Sequence, residues 1–239
     1  MKRSYGKFLI AAAIPVGVAV MPSITFATCT AGSPDGPATW TATDTVPKTA
    51  TIGAGTDIGD NFSIGQYARV GNCSRLGNDG KGRGIASYTK LGDGVIMRNN
   101  SWVGWSSRVG DYAILDGSST AYDVVIGASL WSSRTVITDS TLGRYARIGH
   151  HASISATSIG PYAIIRYDSS VVGSTIAYGA RVGTNVTIET GVSVGREAKI
   201  YDGVHIASGV QIGNYAVVCA DVTTPGMVIA ANDKYGCNY

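Results

Sequence analysis

Net charge is the first thing this chain has little of. Its 19 Lys and Arg stand against 16 Asp and Glu, a balance of +3 that Lys2, Arg3 and Lys7 supply on their own. Without residues 1–27 the chain is formally neutral, which removes the electrostatic case for a nucleic-acid partner. Histidine is scarce as well, with only His150, His151 and His205 present. Long apolar runs are confined to Phe8–Val20, and Pro15 and Pro22 break up that stretch. It is too short to span a bilayer, which takes about 20 apolar residues. Basic residues precede it and Thr25-Phe26-Ala27 follows. The pattern predicts a secretory signal peptide over 1–27, cleaved after Ala27, with no membrane span left in the mature chain. A secreted or periplasmic protein is expected, and export makes the four cysteines readable as disulfides.

What the chain does have is a period of six. Ile176, Val182, Ile188, Val194, Ile200, Ile206, Ile212 and Val218 open successive blocks. A small or short apolar residue follows four places on: Ala180, Val186, Val192, Ala198, Val204, Val210, Ala216. Neither a helix nor a simple alternating strand has this period, whereas one short side of a parallel β-helix coil does. The signal runs from Ile52 to Asn232, and residues 28–51, rich in Thr, Pro and Ala, read as an extended cap over the first coil. Residues 233–239 are left as a tail.

The repeat resembles the hexapeptide-repeat family of acyl- and acetyltransferases. That resemblance implies a left-handed, single-stranded parallel β-helix, a trimer, a histidine base and acyl-coenzyme A as donor. It identifies a fold better than a reaction. At about 18 residues and 4.8 Å per coil, nine to ten coils are expected, with no room for a second domain.

Three sides follow from the spacing. The first is expected to begin at Val109, Val125, Leu142, Ile159, Ile176, Val194 and Ile212, the second at Ile148, Ile165, Val182, Ile200 and Val218. The third is expected to begin at Ile85, Val103, Ile137, Ile154, Val171, Ile188 and Ile206. Coils shorten to 17 residues between Val125 and Ile176, and the register blurs from Ser118 to Val125. Ser140, Thr157 and Ser174 fall at inward small positions of the shortened side, where hydroxyls can bond neighbouring backbone. The run Gly77–Gly84 reads as a solvent loop, since it lacks the Lys-Ser ending of a phosphate-binding loop.

Cys73 lies near the first coils and Cys219 in the last, some 38 Å apart at about 4.8 Å per coil. A disulfide tolerates a Cα separation of only about 7 Å. Each is therefore expected to pair with its nearby tail cysteine, Cys29–Cys73 and Cys219–Cys237, stapling both open ends.

Outward aromatics form two expected series. Tyr67, Tyr88, Trp105 and Tyr122 belong to the third side with Trp102 beside them, while Tyr112, Tyr145, Tyr162, Tyr178 and Tyr215 belong to the first. Such stripes serve as subunit interfaces or as sugar-stacking platforms. Arg147, Arg181 and Lys199 share one outward register near Arg166, a place for an acidic glycan. His150 and His151 are the candidates for the family's catalytic base. His205 lies about three coils away, too far to complete a three-histidine zinc site with them, so no metal is expected. The family's closing segment echoes in Asp221 and Pro225, but Ala231-Asn232-Asp233-Lys234 lacks its proline and glycine, leaving Lys234 alone for a coenzyme contact. The expected function is a secreted, non-catalytic β-helix with a structural, adhesive or glycan-binding surface and no cofactor. The competing expectation is an exported acyltransferase-like enzyme acting on a glycan.

Overall fold

The structure, a computed structural model, describes residues 46–53, 57–58, 63–64, 66, 69–70, 75–76, 89–99, 101–130 and 132–237. The expected leader (1–27), Cys29, Tyr67, Cys73, the Gly77–Gly84 run, Ile85, Tyr88 and most of the expected cap (28–51) lie outside the described residues.

Every strand holds two or three residues, because a block of six spends the rest of its length turning a corner. In Arg147–Ile148, Thr175–Ile176 and Lys199–Ile200 the first residue is exposed and the second buried, the alternation a pleated strand imposes. Ala180, Val186 and Ala198, just before their strands, are fully buried too. Each block thus sends two side chains inward, as the period of six requires.

Stacking these strands gives three parallel sheets of nine, ten and ten strands. The nine-stranded third side runs from Thr51–Ile52 to His205–Ile206. The first side runs from Asp57–Ile58 to Val228–Ile229, and the second from Ser63–Ile64 to Lys234–Tyr235. The protein is a three-sided parallel β-helix of nine to ten coils. Lys234–Tyr235 pairs with Val217–Val218, so paired strand continues past Asn232, where the repeat pattern stops being legible.

Isoleucine columns such as Ile137, Ile154, Val171 and Ile188 fill the interior at no more than 1% exposure. Each such side chain contributes about 1.5–3 kcal/mol through burial. Seventeen-residue coils run from Val136 onward, as expected: Val136 pairs with Ser153, and Ser153 with Ser170. The expected start at Val125 is wrong, since Val125 pairs with Arg147, 22 residues on, while 17-residue steps from Trp102 to Ser119 and from Arg108 to Val125 precede it. The missing residue falls at the third-to-first corner. There a single left-handed residue, Asp139, Ala156 or Gly173, replaces a two-residue turn. Ser140, Thr157 and Ser174 stabilise this corner by donating to the carbonyls of Thr138, Ser155 and Val172 at 2.7, 2.8 and 2.9 Å.

The early register differs from the expected one. Val103 pairs with Leu76 and Thr120 on the first side rather than the third, and Val109 pairs with Ile126 on the second side rather than leading the first. Val125 points outward at 38% exposure, and Ile126 takes the interior place. The cause is Thr120, a polar residue in a buried position whose Oγ1 accepts the Gly104 N–H at 3.1 Å. That substitution hides one block from an aliphatic count. The extra residues of this coil lie later, between Ile126 and Val136. There Ser129 Oγ bonds Thr135 Oγ1 at 2.7 Å and accepts the Thr135 N–H at 2.9 Å.

At the C-terminal end Cys219 and Cys237 form a disulfide with their Cα atoms 5.0 Å apart. This is the expected staple over the last coil.

Candidate functional site

The outward row of the second side has an unusual make-up. Register pairing stacks Lys90, Arg108, Val125, Arg147, Ile164, Arg181, Lys199, Val217 and Lys234 on consecutive coils. Six of these nine are cations, and no described strand position of the second side carries an acid. Among the described residues, Lys90, Arg108, Arg147, Arg181 and Lys199 make no side-chain hydrogen bond or ion pair. Like charges on neighbouring strands repel. Val125, Ile164 and Val217 separate several of them and lessen that cost. With a rise of about 4.8 Å per coil the row is about 38 Å long. Lys234, the expected coenzyme contact, is its last member.

One edge of this face is aromatic. Trp105 stacks on Tyr122 with centroids 4.6 Å apart, and Tyr122 meets Tyr145 edge-on at 5.6 Å. Tyr145 stacks on Tyr162 at 4.8 Å, Tyr162 leans on Tyr178 at 5.3 Å, and Arg196 caps Tyr178 at 5.1 Å. Trp105 and Tyr122 from one expected series and Tyr145, Tyr162 and Tyr178 from the other therefore form one column at the corner between the first and second sides. The spacing divided it because the early register assigned the coil of Val103, and with it Trp105 and Tyr122, to the third side. The aromatic sits first in the two-residue turn at Trp105, Tyr122 and Tyr178. At Tyr145 and Tyr162 it sits second, with left-handed backbone. Arg144 donates to the Tyr122 hydroxyl at 2.9 Å, a bond that raises the Arg144 pKa. Loss of hydration, then the nearby Asp123 carboxylate, raises the Tyr145 phenol above its usual pKa and keeps it neutral.

Tyr112 and Trp102 are not part of this column. Tyr112 occupies the corner between the second and third sides, its ring lying over Gly94 where a side chain would collide with it. Trp102 faces outward on the first side, half-buried, with its indole N–H buried and without a partner. Tyr215 stands at the same corner as the column, 46% exposed.

Between column and cations lies an open groove of about 590 Å³, with Tyr145, Tyr162 and Tyr178 along one wall and Arg147, Arg181 and Lys199 in its floor. A second depression of about 360 Å³ shares Arg147 and Ile164 and reaches Arg166, Tyr167 and Asp202 at the opposite edge. Arg166 there is 3.8 Å from Asp202.

The histidines stand at that opposite edge, on the turn after Arg147–Ile148. His151 has left-handed backbone, its Nδ1 lies 3.1 Å from Asp168 Oδ1 on the next coil, and His150 stacks on Tyr167 at 4.9 Å. Asp168 was overlooked in the sequence because its signal is a coil-length offset of 17 positions, not a local motif. His205 is engaged elsewhere, its Nε2 2.9 Å from Glu189 Oε1.

These features define a β-helix with one charged and aromatic-edged face. No protein-family model matches the sequence, and no curated protein matches it. Solved structures do. The UDP-N-acetylglucosamine acyltransferase of Francisella novicida aligns with a TM-score of 0.51 at 16% identity, covering 82% of this chain and 68% of that one. The UDP-N-acetylglucosamine O-acyltransferase of Moraxella catarrhalis aligns at 0.44 and 13% identity, over 80% and 71% of the two chains. The chain has the fold of the hexapeptide-repeat acyltransferases. At such identities the likeness is one of fold alone.

Proposed function

We propose that this protein is an exported, non-catalytic β-helix that binds an acidic glycan along its second side. The observation that carries this reading is the row of cations from Lys90 to Lys199, none with a side-chain partner among the described residues, running beside a stacked aromatic column. Cations spaced along one line suit a ligand with repeated negative charge, and exposed ring faces suit the apolar faces of sugars. A linear polymer lying along the helix axis engages both at once. Association into a homo-oligomer, a trimer in the mode of the family, leaves this side free if the copies pack through the other two. The test is titration of the mature protein with polygalacturonate, with a neutral glucan as control and native mass spectrometry alongside. Binding of the polyanion at low salt, weakened in Arg181→Ala, supports the reading. Equal binding of the neutral glucan, or no loss in Arg181→Ala, sinks it.

One observation favours a second reading, acyl transfer to a glycan hydroxyl. Asp168 fixes the His151 ring through Nδ1 and leaves Nε2 available as a general base at the edge of the same face. Under it, Lys234 and the basic row receive the phosphates of acyl-coenzyme A. Acyl transfer from a thioester donor that disappears in His151→Ala and falls in Asp168→Asn selects this reading over the first.

A further inference from the structure

We propose that His150, His151 and Asp168 form a binding site for a first-row divalent metal ion, with zinc as the fitting case. One nitrogen of each imidazole and one carboxylate oxygen lie within 4.8 Å of one another. A third histidine is not at hand, since His205 is engaged with Glu189. The fold supplies a carboxylate instead, one coil away.

The geometry is close to what an ion requires. Two imidazoles on one zinc, with bonds of about 2.0–2.1 Å and tetrahedral angles, hold their ring centres about 5 Å apart. Here the centres of His150 and His151 are 4.8 Å apart and the rings nearly perpendicular, at 79°. Nitrogen and oxygen ligands of such an ion stand about 3.4 Å from each other. His151 Nδ1 and Asp168 Oδ1 are 3.1 Å apart, so a small rotation admits the metal between them.

The ligands are also held in place. His150 is clamped by its stack on Tyr167, and both histidines belong to one two-residue turn. Gly149, just before that turn, lies so close to Tyr167 that a side chain there would strike its backbone N at 2.4 Å. On the other flank, a side chain at Gly127 would meet the His150 backbone N at 2.8 Å. The turn is thus packed between neighbouring coils and presents its rings from a fixed backbone.

Binding through His151 Nδ1 takes the tautomer with the ring's one proton on Nε2, so the imidazole stays neutral, and the Asp168 carboxylate becomes a ligand beside it. Two nitrogens and one oxygen leave at least one position open, which suits a water or a carboxylate of an incoming ligand.

The experiment is calorimetric titration of the full oxidised chain with zinc chloride, with magnesium as control. Asn tolerates left-handed backbone, so His151→Asn and Asp168→Asn preserve both turns. Unchanged melting of these variants without metal checks the fold. One equivalent of zinc should bind the parent chain and His205→Asn alike, at least tenfold more weakly in His151→Asn and Asp168→Asn. Cobalt in place of zinc should give the intense visible absorption of a four-coordinate site, lost in the same two variants. No zinc binding by the parent chain, or binding unaffected by both substitutions, overturns the site.

Discussion

Removing Arg181 and Lys199 together is the sharpest test of the basic row. They are adjacent rungs, both exposed, and both line the groove beside Tyr178. Neither has a described partner, so Arg181→Ala with Lys199→Ala breaks no ion pair within the fold. The double variant should fold and melt like the parent, since surface substitutions of this kind change stability by no more than about 0.5 kcal/mol. Its effect belongs to the ligand. A unit charge pair at about 4 Å in water is worth roughly 1 kcal/mol. Two lost contacts therefore weaken polyuronate binding by about 2 kcal/mol, roughly a thirtyfold rise in Kd. The contacts are exposed, so raising salt from about 0.05 M to about 0.5 M should shorten the screening length and erase most of the difference. Calorimetry at both salt concentrations reads each quantity. A parent affinity indifferent to salt, or a double variant that binds as tightly as the parent at low salt, refutes electrostatic capture on this face.

Three further outcomes follow from other parts of the molecule. Tyr145→Ala with Tyr162→Ala breaks a stacked pair and opens the groove wall. The expected cost is about 0.5–1.5 kcal/mol beyond the area lost, read by chemical denaturation, together with weaker glycan binding. Glu189 is held below its usual carboxylate pKa, first by the Ser208 hydroxyl at 2.5 Å and then by His205. A depressed folded pKa contributes stability that is present above the unfolded value and lost as pH falls through the folded one. Melting temperature should therefore drop on acidification below about pH 4.5, less steeply in Glu189→Gln. Cys237→Ser opens a loop of 18 residues and should cost about 3 kcal/mol, seen as a lower melting temperature and earlier proteolysis near the last coil.

The fold was legible because the β-helix writes its geometry into the chain at a fixed period. From Ile137 onward, aliphatic residues at every sixth or, across the short corner, fifth place gave the sides, the short coils and the register that the structure has. The reading failed where a polar residue occupied the interior. Thr120 meets its hydrogen-bonding need through Gly104, so burial costs it little, yet no hydrophobic count can see it. The slip moved Val103 and Val109 to wrong sides and carried Trp102 and Tyr112 with them. The candidate site was legible only in part. Arg147, Arg181 and Lys199 were found because they share a register, while Lys90, Arg108 and Lys234 lay beyond the slip or past the end of the repeat. Asp168 was missed because neighbours across coils are distant in sequence, and no local motif joins it to His151.

A small overall charge and a basic face are compatible because a solenoid sorts residues by position in the coil. Acids such as Asp111, Asp123, Asp168 and Asp202 take corners, where carboxylates can serve turns. Asp111 Oδ1 accepts the Asp93 N–H at 2.9 Å and Asp202 Oδ1 accepts the Thr184 N–H at 2.7 Å. Cations take the flat strand position of the second side, where long side chains extend into solvent. Asp111 and Asp202 are thus committed to backbone, and Glu197, a corner acid that lines the groove, lies 3.2 Å from Arg196. The strand cations from Lys90 to Lys199 in that row have no such partner among the described residues. The field over the second side is therefore positive although the chain's 16 acids nearly balance its 19 Lys and Arg. A metal held by His150, His151 and Asp168 would add to it, turning the acid at that corner from a repulsive neighbour of an anionic ligand into part of a cationic edge. Zinc should then raise polyuronate affinity in the parent chain and leave Asp168→Asn unaffected. That coupling distinguishes two independent sites from one face with an ion built into its rim.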